Sequence, residues 1–143
     1  MATKPFTKFF CFAEDVCEKK HNLGSDVLKV MLTNTDPTQS ATVYTSGIAS
    51  SEIANGNGYT TGGVTPTISS SAQTSGLYKL VLADVSWTAG ASSMATFRYA
   101  VLYNTVAPTP LIGYWDNGVP VTLTTGQTFT IDFDATLGVL QLQ

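Results

Sequence analysis

The chain reads as an all-β protein: a single antiparallel β-sandwich, jelly-roll-like, with about eight strands. Three observations predict it. Short segments with period-two alternation, rich in β-branched and aromatic residues, recur along the sequence. Gly-, Asn- and Ser-rich punctuation separates them at intervals of roughly 8–12 residues. Only 12% of the 143 residues are charged, and Thr, Ser and Gly take up the difference. That composition fits neither a disordered chain, a coiled coil nor collagen. The length suits one domain, 1–143, with 1–12 as a candidate N-terminal arm.

The elements follow in order. Phe9 to Asn22 (FFCFAEDVCEKKHN) carries two signals, a Phe cluster that suits a strand and mixed charges that suit a helix. A strand from Phe9 with a polar continuation is the favoured reading. Strands are expected at Asp26–Thr33 and Tyr59–Ser69, with a short helix or helical turn within Ser46–Asn55. Leu77 to Trp87 reads as one long bent strand or two strands with a bulge. Phe97 to Asn104 has apolar residues on both faces and belongs in the middle of a packed sheet. Leu111–Trp115 and Val119–Leu123 flank Asn117-Gly118, the dipeptide of a type I′ hairpin. Thr125-Gly126 marks another tight turn. In Thr128–Asp134, Phe129, Ile131 and Phe133 alternate with polar residues, and Gly138–Gln143 forms the last strand. NTDPTQS, ANGNG, SSSAQTSG, TAGASS and NTVAPTP read as loops.

Net charge is −3, and four of the seven basic residues, Lys4, Lys8, Lys19 and Lys20, stand near Glu14, Asp15 and Glu18. No basic patch of the kind nucleic acid requires is present. From Ile53 onward only six charges remain: Lys79, Asp84, Arg98, Asp116, Asp132 and Asp134. A surface so poor in charge predicts either sparing solubility alone or, as the favoured reading, partial cover by a partner. No apolar run reaches the length of a membrane span, and Glu14 and Asp15 cut short the only signal-like stretch. A protein made in a cytoplasm is expected. Cys11 and Cys17 would stand about 20 Å apart in an extended segment, too far for a bridge, and read as reduced, packed thiols.

Candidate chemistry is sparse. His21 is the only histidine. No Gly-x-Ser-x-Gly elbow accompanies it, so a structural or surface role is expected. Asp132 and Asp134 share a strand face about 7 Å apart, within the range of glycosidase carboxylate pairs, yet such pairs are routine on half-exposed strands. Asp116, Asp132 and Asp134 are oxygen donors suited to Ca²⁺, but no loop matches a Ca²⁺ pattern. ANGNGYTTGG lacks the lysine of a phosphate loop. Trp87, Tyr99, Tyr103, Tyr114 and Trp115 read first as core and second as a carbohydrate platform. Tyr114 and Trp115 must face opposite sides of a regular strand, and one of them is the expected interface anchor. No catalytic, cofactor or metal residues are assigned.

Several segments carry a resemblance. HNLGSDVLKVMLTNTDP, EIANGNGYTTGG, SSAQTSGLYKLVLADVSWTA, FRYAVLYN, PLIGYWDNG and FTIDFDATLGVLQL, spanning Phe9 to Leu142, resemble small structural proteins of tailed bacteriophages. The resemblance implies a virion component without enzymatic activity, made in the bacterial host. Small β-sandwich cement proteins of phage heads are similar in size and composition. The leading expectation is therefore a decoration protein on the capsid surface, bound to the major capsid protein and to itself as a dimer or trimer. Neither nucleic acid nor membrane is an expected partner. The expected interface residues are Lys4, Phe6, Lys8, Phe9 and Phe10 in the N-terminal segment, with Phe12 beside them, and Tyr114 and Trp115. The alternatives are a tail or tail-fibre component that binds glycans, and a small hydrolase using Asp132 and Asp134.

Overall fold

Apolar residues on both faces of Phe97–Asn104 demand cover on both sides, and the chain supplies it. The computed structural model describes residues 5–143. Nine strands run among them: β1 Phe6–Lys8, β2 Leu28–Thr33, β3 Ile68–Thr74, β4 Leu77–Leu82, β5 Val85–Thr88, β6 Phe97–Asn104, β7 Leu111–Val121, β8 Thr128–Ile131 and β9 Leu140–Leu142. All pairings are antiparallel, in sheets ordered β1-β7-β6-β2, β3-β4-β9 and β5-β8. The all-β, sandwich-like expectation is met. Sheets of four, three and two strands do not reproduce the two four-stranded layers of a jelly roll.

The four-stranded sheet is buried on both faces. On one face Val30, Leu32, Ala100, Leu102 and Ile112 join Leu80, Leu82, Val85, Trp87, Ile131, Phe133 and Leu140 of the two smaller sheets in the main core. On the other face Met31, Val101, Tyr103 and Leu111 pack with Phe9 and Ile48 in a second core. The lid over that second face includes a π-helical turn at Tyr44–Ile48, followed by a 3₁₀ turn at Ala49–Ser51. These turns fall in the region where the sequence predicts a short helix. Glu52 fastens this connection: its carboxylate accepts from the Tyr44 hydroxyl at 2.6 Å, the Tyr59 hydroxyl at 2.5 Å and the Gly62 N–H at 2.6 Å.

Three local expectations are overturned. Within Phe9–Asn22 a helix forms, α1 Cys11–Cys17, not a strand. Phe9 and Phe12 lie three residues apart and both are 2% exposed, whereas Phe10 points outward. A Schellman closure ends the helix: Lys19 N–H donates to Val16 O, Lys20 N–H to Asp15 O, and Lys19 adopts φ 62°. Second, only the end of Tyr59–Ser69 is a strand, and SSSAQT, read as loop, is β3. It escapes a periodicity search because both its faces are polar. Its hairpin with β4 turns at Ser75-Gly76, whose φ values of 51° and 83° are the positive pair a type I′ turn requires.

Third, Asn117-Gly118 is not a hairpin. β7 runs unbroken from Leu111 to Val121, and Phe97 pairs with Val121 while Tyr99 pairs with Asp116. Asn117 to Pro120 therefore bulge opposite the single residue Arg98. Gly118 takes φ 87°, the conformation expected of it but in a bulge, and Pro120 stands where a missing N–H costs nothing. Of the two readings of Leu77–Trp87, two strands form, β4 and β5, although they belong to different sheets. Asp84 marks the break and accepts the Phe133 N–H at 2.9 Å. The β8 ladder ends at Ile131, short of Asp134, although Ile131 and Phe133 are buried and Phe129 is half-buried as alternation requires.

Candidate functional site

A concave groove of about 580 Å³ opens between the four-stranded sheet and the segment from β8 to β9. Its lining comes from four places: Phe6 on β1, Phe97 to Ala100 on β6, Trp115 and Asn117 on β7, and Phe129 to Val139 around β8. The aromatic rings line it in two groups. Phe6 lies 4.7 Å from Trp115 between ring centroids, Trp115 lies 5.4 Å from Phe133, and Phe97 meets Phe129 edge-on at 4.9 Å. Phe6, Trp115 and Phe129 are only half-buried, so their faces are available to a ligand.

Two backbone features build the groove. Phe6 pairs with Trp115 and Lys8 with Gly113, and the Phe6 ring fills the space where any side chain at Gly113 would stand. The β7 bulge then turns the strand at the groove's end. It is held by a two-pronged ion pair, Arg98 Nε to Asp116 Oδ1 at 2.7 Å and Nη2 to Oδ2 at 2.8 Å, and by the Gly118 N–H on Asp116 Oδ1. The register shift also places Phe97 in the same core as Ala100 and Leu102, although strict alternation from Tyr99 would separate them.

The rim is acidic. Asp132 is exposed and has no hydrogen-bond or ion-pair partner among the described residues. Asp134 accepts the Leu137 and Thr136 N–H groups at 2.7 and 2.8 Å, and these bonds hold its carboxyl below the usual range. An Asp134 kept ionised by its own turn is a poor proton donor near neutrality. Among the described residues no three His, Cys, Asp or Glu side chains converge as a metal site, and no helix is long and apolar enough to cross a membrane.

The predicted interface residues divide. Phe6 and Trp115 meet in the groove. Phe9 and Tyr114 meet on the opposite face, 5.2 Å apart, and Phe9 is part of the second core. Phe9 and Phe12 therefore complete the protein's own fold and are not free to anchor in a partner. Phe10 is 70% exposed and Lys8 is exposed, but both stand outside the groove lining. Lys4 lies outside the described residues. Neither Tyr114 nor Trp115 is fully exposed; both are half-buried. Trp87, Tyr99 and Tyr103 are buried, and only Tyr99 reaches the groove lining, so the five aromatics form no common platform. Sequence reasoning missed Phe97, Asn117 and Leu137 as groove residues. Pro120 inside an apolar run was the available signal for the bulge that assembles them.

His21 is structural and only 8% exposed. Val106 N–H donates to Asn104 Oδ1 at 2.9 Å, which orients the amide so that Nδ2 donates to Asp26 at 2.6 Å and faces His21 Nδ1 at 3.3 Å. Nδ1 is thereby the acceptor, and the proton sits on Nε2, which has no partner among the described residues. Both cysteines are free. Cys11 is half-buried, and burial first, then Asp15, pushes its thiol up to about 11; Cys17 is exposed rather than packed. No protein-family model, curated protein or solved structure matches the chain.

Proposed function

We propose that the protein is a structural component of a tailed-phage virion that binds the outside of the capsid shell and stiffens it, using the aromatic groove as its contact surface. The observation that carries this reading is a concave site walled by half-exposed rings on a chain with six charges after Ile53. Rings held in a pocket are the usual anchors of protein interfaces, and an acidic rim favours an apolar segment that carries a basic residue. The sequence resemblance supports a virion structural role. Many identical sites on a shell would hold even a weak single contact.

The test is recruitment to purified heads that lack the protein. Wild type is expected to bind and to raise resistance to heat and chelators. Trp115→Ala and the rim variant Asp132→Lys are expected to lose binding while remaining folded. Heads that neither recruit the protein nor gain resistance from it overturn the reading. A second reading, a glycan-binding tail component, draws on the Asn117 amide and the Asp132 carboxylate beside ring faces in one groove. It predicts binding to host-surface glycans, lost in Trp115→Ala, and none to heads.

A further inference from the structure

The sheet edges are not treated alike. β1 is three residues long, follows Pro5 and carries Lys8, all of which blunt it. The outer edge of β2 is closed by reciprocal Val30–Val64 backbone bonds of 2.8 and 3.0 Å and by Ile53 N–H on Leu32 O. β9 has three residues, and β5 and β8 have four each. β3 has seven, and its outer edge pairs with nothing among the described residues. From Ile53 to Tyr78 the chain holds no Asp, Glu, Lys, Arg or His, so no charge guards that edge.

We infer that the free edge of β3 pairs with β3 of a second copy, antiparallel about a two-fold axis at Ala72. The register follows from the hairpin. A two-residue type I′ turn makes Thr74 and Leu77 a hydrogen-bonded pair, so the N–H and C=O groups of Ser71 and Gln73 point to the free edge. The irregularity between Ile68 and Ser70 confines the regular ladder to 70–74, whose centre is Ala72. An axis there sets Ser71 of each copy opposite Gln73 of the other, using every outward group in that stretch. Ala72 meets its own equivalent at the close, non-bonded position, where a small side chain fits, and Ser70 meets Thr74.

A second copy is the occupant because an isologous pair requires a strand complementary to its own reverse. This strand meets that condition: small or uncharged residues oppose one another throughout, and no like charges meet. The interface is small, so association is weak and rises with concentration. The inference is independent of the capsid reading and of the groove.

Sedimentation over a concentration series reaching about 1 mM tests it. Wild type is expected to shift from monomer to dimer. Ala72→Glu sets the new carboxylate opposite Lys79 within its own hairpin, which favours the folded monomer, but opposite a second Glu across the axis. It is expected to weaken self-association several-fold with an unchanged circular dichroism spectrum. Mixing it with Ala72→Lys should restore dimers as a heterodimer. A wild type that stays monomeric throughout, an Ala72→Glu variant that dimerises undiminished, or a mixture no tighter than the single variants would overturn the proposal.

Discussion

The central sheet and the β3–β4 hairpin are both antiparallel, yet different forces fix their registers. In the central sheet burial decides. Leu102 is fully buried on one face and Val101 on the other, so a slip of one residue would exchange two complete apolar sets. In the hairpin β3 is exposed over most of its length on both faces, and slippage would bury or expose little. There the turn decides: Ser75 and Gly76 take the backbone conformation that locks Thr74 against Leu77. A strand can thus be specified by its side chains or by its neighbouring turn, and only the first leaves a period in the sequence.

Truncation in the central sheet should produce the largest effect. Leu102→Ala is expected to cost about 3–5 kcal/mol, read from the denaturant midpoint, because rigid surroundings on both sides prevent the cavity from closing. A loss near that of a surface substitution would show that burial does not hold this sheet.

Acid probes the polar end of the same sheet, where His21 meets Asn104. Burial, the largest cause, holds His21 below the ordinary value of 6.5, with Lys20 adding to it and Asp15 and Asp26 opposing it. The unfolded chain therefore takes up the proton first. Stability is unaffected by this group above pH 6.5, declines as pH falls from 6.5 toward the lower folded value, and loses nothing more from it below that. Unfolding midpoints measured from about pH 8 to about pH 5 should fall more steeply for wild type than for His21→Gln. Equal slopes would mean that the imidazole is not held neutral by the fold. His21→Ala would leave a void beside Phe12, whose ring lies 5.4 Å away.

The turn should give the smallest effect. Gly76→Ala places a side chain at φ 83° with open space around it, so the cost is backbone strain alone, about 1–2 kcal/mol. A larger loss would mean that β3 carries packing the exposed faces do not suggest.

These forces also set what could be read from the sequence. β6 was legible to the residue because its apolar positions are explicit, and β2 and β9 nearly so. β3 was not, because Ser, Ala, Gln and Thr on both faces look like a loop. The helix at Cys11–Cys17 was obscured by neighbouring aromatics that serve two different cores. In the groove, Phe6 and Trp115 were identifiable as candidate anchors. Their assembly with Phe97, Phe129 and Asp132 depends on a register shift opposite Arg98, for which Pro120 inside an apolar run was the one local sign.

The ring of Phe6 resting on Gly113 ties two properties of the molecule into one variable. β1 is held by three residue pairs, by the Gln39 side-chain amide on Lys8 O and by that ring, and the same ring is part of the groove wall. Detaching the N-terminal strand removes the wall, and filling the groove clamps the strand. By thermodynamic reciprocity, an occupant of the groove would lower the opening equilibrium of β1 by the same factor by which a docked β1 raises the occupant's affinity. The N-terminal strand is in that sense a latch on the groove that any occupant would close for itself.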